Sequence, residues 1–357
     1  METAFLTYLG ILLLSLALLT FVIVKFKPQP WHYSLLAALY AMAFLWSAFK
    51  LGRNIFEAMS FASIGVFIGA NYLLILSAVI TWPKYKIVST FFSIFAVVLT
   101  LIAVDAFIIE PHWLEVTRYQ IVDSKVPKKV KIVIISDLQT DSIGEFEADV
   151  FKRTMQEKPD MILLPGDYVQ PTYEDLINQK QKMNALMKSI KLQAPLGIYA
   201  TQGDCESSYS DYIKWDDIFE GLPVTCFTES STVSNEYFAV TGLTLKDSYK
   251  LDYQAPDTDL YHIWVGHRPG FSLDRPKGNL LVAGHTHGGQ VQLPFFGPIF
   301  VFSRVPRIWG AGCLKELDQG KHLIISRGIG MERGLAPRLR FLCRPQLIVL
   351  ELIPEKE

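Results

Sequence analysis

Four apolar runs, over residues 4–24, 31–49, 60–82 and 87–109, dominate the first third of the chain. Short polar turns separate them: Lys25, Lys27, Pro28 and Pro30; then Lys50, Gly52, Arg53 and Asn54; then Pro83, Lys84 and Lys86. A helix crossing the hydrocarbon core of a bilayer needs about 20 apolar residues, and Trp31, Trp82 and Trp113 stand where interfacial aromatic residues belong. The pattern predicts a transmembrane domain of four helices over residues 1–113. A cleaved signal peptide does not fit, because the opening Met-Glu-Thr lacks a positive segment and more spans follow the first.

From Val130 the pattern changes to short β-branched runs that stop at small or charged residues. "VKIVIISD", "DMILLPGD" and "GIYATQGD" read as strands, while "EFEADVFKRTMQE" and residues 173–191 place apolar positions at helical spacing between them. The later runs "YHIWVGH", "NLLVAGHTH", "HLIISRG" and "QLIVLEL" predict strands with less helix between them. Residues 114–357 therefore read as an α/β domain that grows richer in strand toward its second half.

Charge sharpens this division. Of 34 basic and 35 acidic residues, only Lys25, Lys27, Lys50, Arg53, Lys84, Lys86, Glu2, Glu57, Asp105 and Glu110 precede residue 114. The second block is charged like a soluble domain, with a slight acidic excess, and shows no basic footprint for nucleic acid. Lys50, Arg53, Arg118, Lys125, Lys128 and Lys129 slightly outnumber Lys25, Lys27, Lys84 and Lys86 on the opposite side. The positive-inside rule then predicts a multi-pass protein of an inner or plasma membrane with residues 114–357 in the cytoplasm. Cys205, Cys226, Cys313 and Cys343 form no CxxC pair and read as free thiols.

The ends of the predicted strands carry Asp137, Asp167, Asp204, His267, His285 and His287, often directly after a glycine: Gly166, Gly203, Gly266 and Gly284. Such glycines let side chains from separate strands converge, because the chain turns sharply there. Three carboxylates and three imidazoles are ligands that divalent metals take.

"SDLQTD", "PGDYVQ", "TQGDCE", "VGHRPG" and "AGHTHGGQ" resemble, in order, the five sequence blocks of the calcineurin-like metallophosphoesterases. The similarity spans about residues 130–352, and its closing segment resembles a membrane-associated phosphodiesterase branch of that family. The resemblance implies a four-layer α/β/β/α sandwich, here preceded by the four-helix bundle, with two divalent metals between the sheets. Asp137, Gln139, Asp167 and His287 would hold one metal; Asp167 would bridge to a second, held also by Asp204, His267 and His285. The activity implied is hydrolysis of a phosphoric ester by a hydroxide that bridges the metals.

Three residues depart from the family pattern. Gln139 replaces a histidine, which favours Mn²⁺ or Mg²⁺ over Zn²⁺ there, with Fe a further possibility for the pair. Asp204 replaces an asparagine and adds a negative charge, which favours a diester or pyrophosphate linkage over a dianionic monoester. Cys205 replaces the histidine that serves the leaving oxygen, and a thiol is a poorer acid near neutral pH. The expected function is a membrane-anchored, metal-dependent phosphoesterase with catalytic Asp167 and Cys205, acting on a phosphodiester or pyrophosphate in a lipid-linked substrate. The family includes UDP-diacylglucosamine pyrophosphohydrolases. The alternatives are a degenerate metal-binding membrane sensor, and a soluble-substrate phosphatase that uses its helices only as an anchor.

Around the motifs, Phe295, Phe296, Phe300, Phe302 and Trp309 form either a lip toward lipid or a core-facing strand pair. Lys125, Lys128, Lys129 and Lys131 read as a solvated lead-in or a contact for anionic headgroups. Arg333, Arg338, Arg340 and Arg344 are candidates for orienting substrate phosphate.

Overall fold

The computed structural model describes residues 2–210, 213–317 and 320–355. It divides into two compact units, Met1–Ile108 with Gly334–Arg338, and Ile109–Arg333 with Leu339–Glu357.

The helical unit contains four helices long and apolar enough to cross a membrane, at Thr3–Phe26, His32–Leu51, Ile55–Thr81 and Lys86–His112. The third starts earlier than its apolar run because Asn54 caps it, its Oδ1 accepting the Glu57 N–H at 2.9 Å. Glu57 is buried within the helix, and Arg53 donates to it from its backbone N–H at 2.8 Å and from Nε at 2.9 Å. Buried Tyr8, Leu12, Tyr40, Phe44 and Phe61 form a small core between the helices. Gly65–Ala70 winds as a π-helical turn, and the Tyr40 hydroxyl donates to the Gly65 carbonyl at 2.7 Å. The outward face stays apolar, with Leu14, Val79, Ile87 and Leu101 exposed. In water that surface would be costly; against lipid it is matched.

The second unit is built on strands β1 (Glu115–Asp123), β2 (Val130–Ile134), β3 (Met161–Leu164), β4 (Ile198–Thr201), β5 (Val224–Phe227), β6 (Ser231–Ser234) and β7 (Phe238–Gly242). They are followed by β8 (Tyr261–Val265), β9 (Leu280–Ala283), β10 (Gln292–Leu293), β11 (Gly297–Pro298), β12 (Cys313–Glu316), β13 (His322–Ile325) and β14 (Gln346–Pro354). One six-stranded sheet runs β1-β14-β2-β3-β4-β5 and the other β12-β13-β9-β8-β7-β6. In both, the central strands are parallel and one or two antiparallel pairings complete the sheet.

Alternation along each strand makes the layers. Ile132, Ile134, Met161 and Leu163 face Val240, Ile263, Val265, Leu280 and Val282 in the core between the sheets. Val133, Ile162 and Leu164 point the other way, against Val150, Phe151, Met183 and Met187 of the helices Glu145–Gln156 and Leu176–Ser189. Trp264, Leu281, Ala283 and Ile325 on the far face of the second sheet pack with Phe271 and Val305. The cover there is short helical turns, at Leu245–Tyr249 and Pro269–Asp274. The fourth layer is therefore thinner than the sequence reading implied.

The run Lys125, Lys128, Lys129 and Lys131 lies inside the folded unit, after β1, and not in a lead-in. β1 pairs in parallel with β14 from Glu115 opposite Gln346 onward, Lys129 pairs with Glu351 at 3.0 Å, and Lys131 Nζ donates to the Glu157 carbonyl at 2.9 Å. A continuous parallel partner far along the chain explains why local pattern did not reveal this edge.

Candidate metal centre

β2, β3 and β4 of the first sheet and β8 and β9 of the second all end at one place, and the residues just after them carry the predicted ligands. Asp137, Gln139, Asp167, His285 and His287 all adopt left-handed backbone conformations, with φ between 37° and 70°. Such values are uncommon for residues with a Cβ and mark chain turned back sharply to present a side chain. Close approach falls to the glycines: a Cβ on Gly203 would stand 2.2 Å from Asp167 Oδ1, and one on Gly284 would stand 2.0 Å from Ser136 Oγ.

The structure brings two overlapping groups together among the described residues. Asp137, Asp167 and His267 form a buried one, and Asp204, His267 and His285 a more open one, with the ligand atoms of each group all within 4.8 Å of one another. His267 belongs to both, whereas the sequence reading gave the shared place to Asp167. His287 lies at the edge, its Nε2 4.0 Å from Asp137 Oδ1. Gln139 is buried beside them, its backbone N–H donating to the Asp167 carbonyl at 2.9 Å.

The hydrogen bonds around these groups leave lone pairs facing inward. His267 Nδ1 lies 2.8 Å from the Pro165 carbonyl, so it carries the proton and leaves Nε2 as a lone pair, 3.3 Å from both Asp167 Oδ2 and Asp204 Oδ2. His285 Nε2 likewise donates to the Phe302 carbonyl at 3.0 Å, and its Nδ1 is 2.8 Å from Asp204 Oδ2. A lone pair that close to a carboxylate oxygen requires a positive species between them. The buried atoms His267 Nε2, His287 Nδ1 and Gln139 Oε1 have no hydrogen-bond partner. Leaving such atoms unpaired is costly, and a divalent cation would satisfy them. The residues present fit bound metal.

Electrostatics follow from burial and crowding. Burial and the neighbouring Asp167 push Asp137 up to about 6, even though His267 pulls the other way. At Asp204 burial is outweighed by the close His267, His285 and Arg268 side chains, and its carboxyl is held far below the usual carboxylate range. Burial opposes charge on His267, yet Asp167 and Asp204 raise its pKa well above the ordinary value. Burial, aided by Arg340, lowers His287 to about 3. The carboxylates thus draw a positive species, a proton or a metal cation, to His267 Nε2, while His287 stays neutral, as a metal ligand must be.

Residues 130–289 match the calcineurin-like phosphoesterase family. Residues 130–289 carry a calcineurin-like phosphoesterase domain. The chain is 29% identical over 260 residues to a protein of Bacillus subtilis named uncharacterized metallophosphoesterase YkuE, covering 68% of this chain and 87% of that one. It is 24% identical over 256 residues to the phosphodiesterase YaeI of Escherichia coli, covering 68% and 90%. A further relative is the UDP-2,3-diacylglucosamine pyrophosphatase LpxG of Chlamydia muridarum, 24% identical over 321 residues and covering 69% and 92%. The domain is that of a phosphoric ester hydrolase of a family that uses divalent metals.

Around the candidate centre, several neighbours escaped the sequence reading. Glu206 accepts the backbone N–H groups of Asp167, Tyr168 and Gly203 at 2.9, 2.8 and 3.0 Å, clamping two ligand-bearing turns together. Burial and Asp167 push it up to about 7. Arg268 pairs with both oxygens of Asp204, through Nε at 3.1 Å and through a still shorter bond from its terminal nitrogen. The added charge of Asp204 is thus offset by Arg268, which the sequence argument for a less positive centre did not include. The residue after "GH" in "VGHRPG" was the available signal.

Cys205 presents its backbone N–H to Asp167 Oδ1 at 2.8 Å. Its buried thiol is pushed well above the ordinary range by burial and then by Asp167. Of the candidate phosphate-orienting arginines, Arg340 is fully buried and donates to the carbonyls of Arg327, Gly330 and Cys343, so it holds the chain and not a substrate. Arg344 lies over the Trp113 ring, 3.5 Å from its centroid.

Proposed function

We propose that this metallophosphoesterase is anchored in a membrane by residues 1–113 and cleaves a phosphodiester or pyrophosphate linkage in a lipid-linked substrate, using the domain of residues 114–357. The observation that carries the metal-dependent part is the convergence of Asp137, Asp167, Asp204, His267 and His285 with unpartnered buried lone pairs at His267, His287 and Gln139. These seven residues would hold two divalent ions, Mn²⁺ before Mg²⁺, Fe or Zn²⁺ because oxygen donors predominate. The ions would supply Lewis acidity and an activated water. The chain's own residues orient and hold protons: the Glu206 clamp fixes Asp167, the Pro165 and Phe302 carbonyls fix the tautomers of His267 and His285, and Arg268 steadies Asp204. Cys205, its thiol kept protonated, is a poor proton donor, which favours a leaving group that needs little protonation.

The lipid part rests on the apolar helices and on the segment after the second histidine motif. Phe295, Phe296, Phe300 and Phe302 are exposed, Phe295 fully so, around the β10–β11 hairpin, while Trp309 packs against the far face of the second sheet. Phe302 is also the residue whose carbonyl holds His285, so an apolar lip adjoins a ligand. The relative named LpxG acts, by its name, on a diacylated sugar nucleotide, which is consistent with such a substrate. A cytoplasmic position for the domain follows from the flanking lysines and arginines.

The test uses the purified full chain in detergent, stripped with chelator and reloaded with Mn²⁺, assayed on a chromogenic phosphodiester and on a lipid extract whose products are identified. Metal-dependent release of a phosphorylated product from lipid, lost in Asp167→Asn, is the expected result. Turnover of soluble diesters with no lipid product would leave the helices as a simple anchor. No metal-dependent turnover on any ester or pyrophosphate, with metal bound, would defeat the enzyme reading.

A further inference from the structure

Gln139 differs from the other candidate ligands in one physical respect. A carboxylate presents oxygen whichever way it rotates, but a carboxamide presents either oxygen or NH₂, and only the oxygen ligates a cation. Something must therefore decide which way the Gln139 amide points. Its Oε1 is buried without a partner, while its Nε2 donates to Gln170 Oε1 at 3.0 Å and to Glu332 Oε2 at 3.2 Å. Both hydrogens of the amide are spent on that side.

The two acceptors are themselves fixed. Gln170 Oε1 also accepts the backbone N–H of Arg333 at 2.9 Å, and backbone polarity cannot be reversed. Gln170 then has its own NH₂ directed at Glu332 Oε1, 3.3 Å away. Glu332 is anchored through its backbone N–H, which donates to Gln290 Oε1 at 2.6 Å. Arg333 closes the arrangement, its Nε donating to the Gln139 carbonyl at 2.9 Å. A flipped Gln139 would set its Oε1 against an amide oxygen and a carboxylate oxygen, with no hydrogen between them.

We infer that Glu332, working with Gln170, is a positioning residue that holds the Gln139 amide with its oxygen turned to the metal centre. The inference rests on the metal-dependent reading above. A glutamine can then stand at a ligand position because a distant carboxylate removes its alternative orientation.

The experiment titrates Mn²⁺ calorimetrically into the chelator-stripped full chain in detergent, for the wild type, Glu332→Gln, Gln139→Ala and the double variant, with circular dichroism of the metal-free forms to confirm folding. Glu332→Gln is isosteric, but its new NH₂ can donate to a flipped Gln139 oxygen. Affinity at one Mn²⁺ site is expected to weaken about tenfold or more, as is typical when a ligand loses its supporting partner. In the Gln139→Ala background the same change should add nothing. Unchanged Mn²⁺ affinity in Glu332→Gln overturns the inference. So does a loss that persists in full without Gln139, which would mark a plain charge effect. Wild-type protein that binds no Mn²⁺ would instead defeat the metal reading itself.

Discussion

The two halves of the candidate centre share His267 and differ in almost everything else. The inner half, Asp137 and Asp167, is buried and held by backbone N–H groups: His285 N–H on Asp137 at 2.8 Å and Cys205 N–H on Asp167 at 2.8 Å. The outer half, Asp204 and His285, retains 30% and 22% side-chain exposure, and Asp204 is steadied by a side-chain cation, Arg268. Burial raises the cost of ionising Asp137, whereas the partners of Asp204 make its ionised form the favoured one. On the proposed function, the inner half would be a rigid seat for a cation and the outer half an adjustable one open to a substrate.

Removing the shared group should have the largest effect. His267→Ala is expected to lower kcat/KM on a chromogenic diester by at least ~10²- to 10³-fold, the range for losing one electrostatic stabiliser of a transition state. Elemental analysis of the same sample should show metal lost from both halves. Retention of one full equivalent would mean that the halves do not depend on a common histidine.

Next in size is the contrast between Asp137→Asn and Asp204→Asn. The inner change should cost as much as His267→Ala, because a buried, preorganised ligand has no substitute. The outer change should cost less, about 10- to 100-fold, the range seen when support around a metal weakens. Equal losses in parallel assays would break the distinction between seat and mouth.

The smallest expected effect supplies a baseline for pH. His262 lies outside the centre, buried in β8 with Nε2 2.7 Å from Thr241 Oγ1, and burial, with Lys125, lowers it to about 4. An unfolded histidine titrates near ~6.5, so between these values the unfolded chain binds more protons than the folded one. Stability therefore falls as pH drops from about 6.5 toward 4. Melting curves of Glu332-intact, metal-free protein should show this slope, and His262→Gln, which keeps a partner for Thr241, should flatten it. An unchanged slope would assign the acid sensitivity to other groups.

The ligand-bearing residues were readable because each follows a short β-branched run, and an apolar strand ending in Gly-Asp or Gly-His is a local pattern. β2, β3, β4, β8, β9, β13 and β14 all coincide with such runs. β1, β5, β6 and β7 were not read as strands: β1, β5 and β6 mix polar and apolar residues, β7 is a run of only five residues, and β1 finds its partner β14 far along the chain. The third long helix begins earlier than its apolar run because Asn54, read only as part of a polar turn, caps it, and Glu57 in its first turn pairs with Arg53. Arg340 was misjudged for a similar reason: an arginine in a sequence looks available, and only packing shows that its guanidinium is spent on backbone carbonyls.

What the sequence by itself determined were properties set by neighbours along the chain: four helices of membrane-spanning length, alternating strands, and carboxylate and imidazole side chains placed at strand ends. The tertiary structure decided what those side chains meet. It put Arg268 on Asp204, Glu206 across two ligand turns, Glu332 against Gln139, and the Phe295 hairpin in the open. Periodicity reports which face of an element is buried, because that depends on local geometry. The charge, orientation and exposure of a site depend on residues far apart in sequence, and only the packed sheets bring those together.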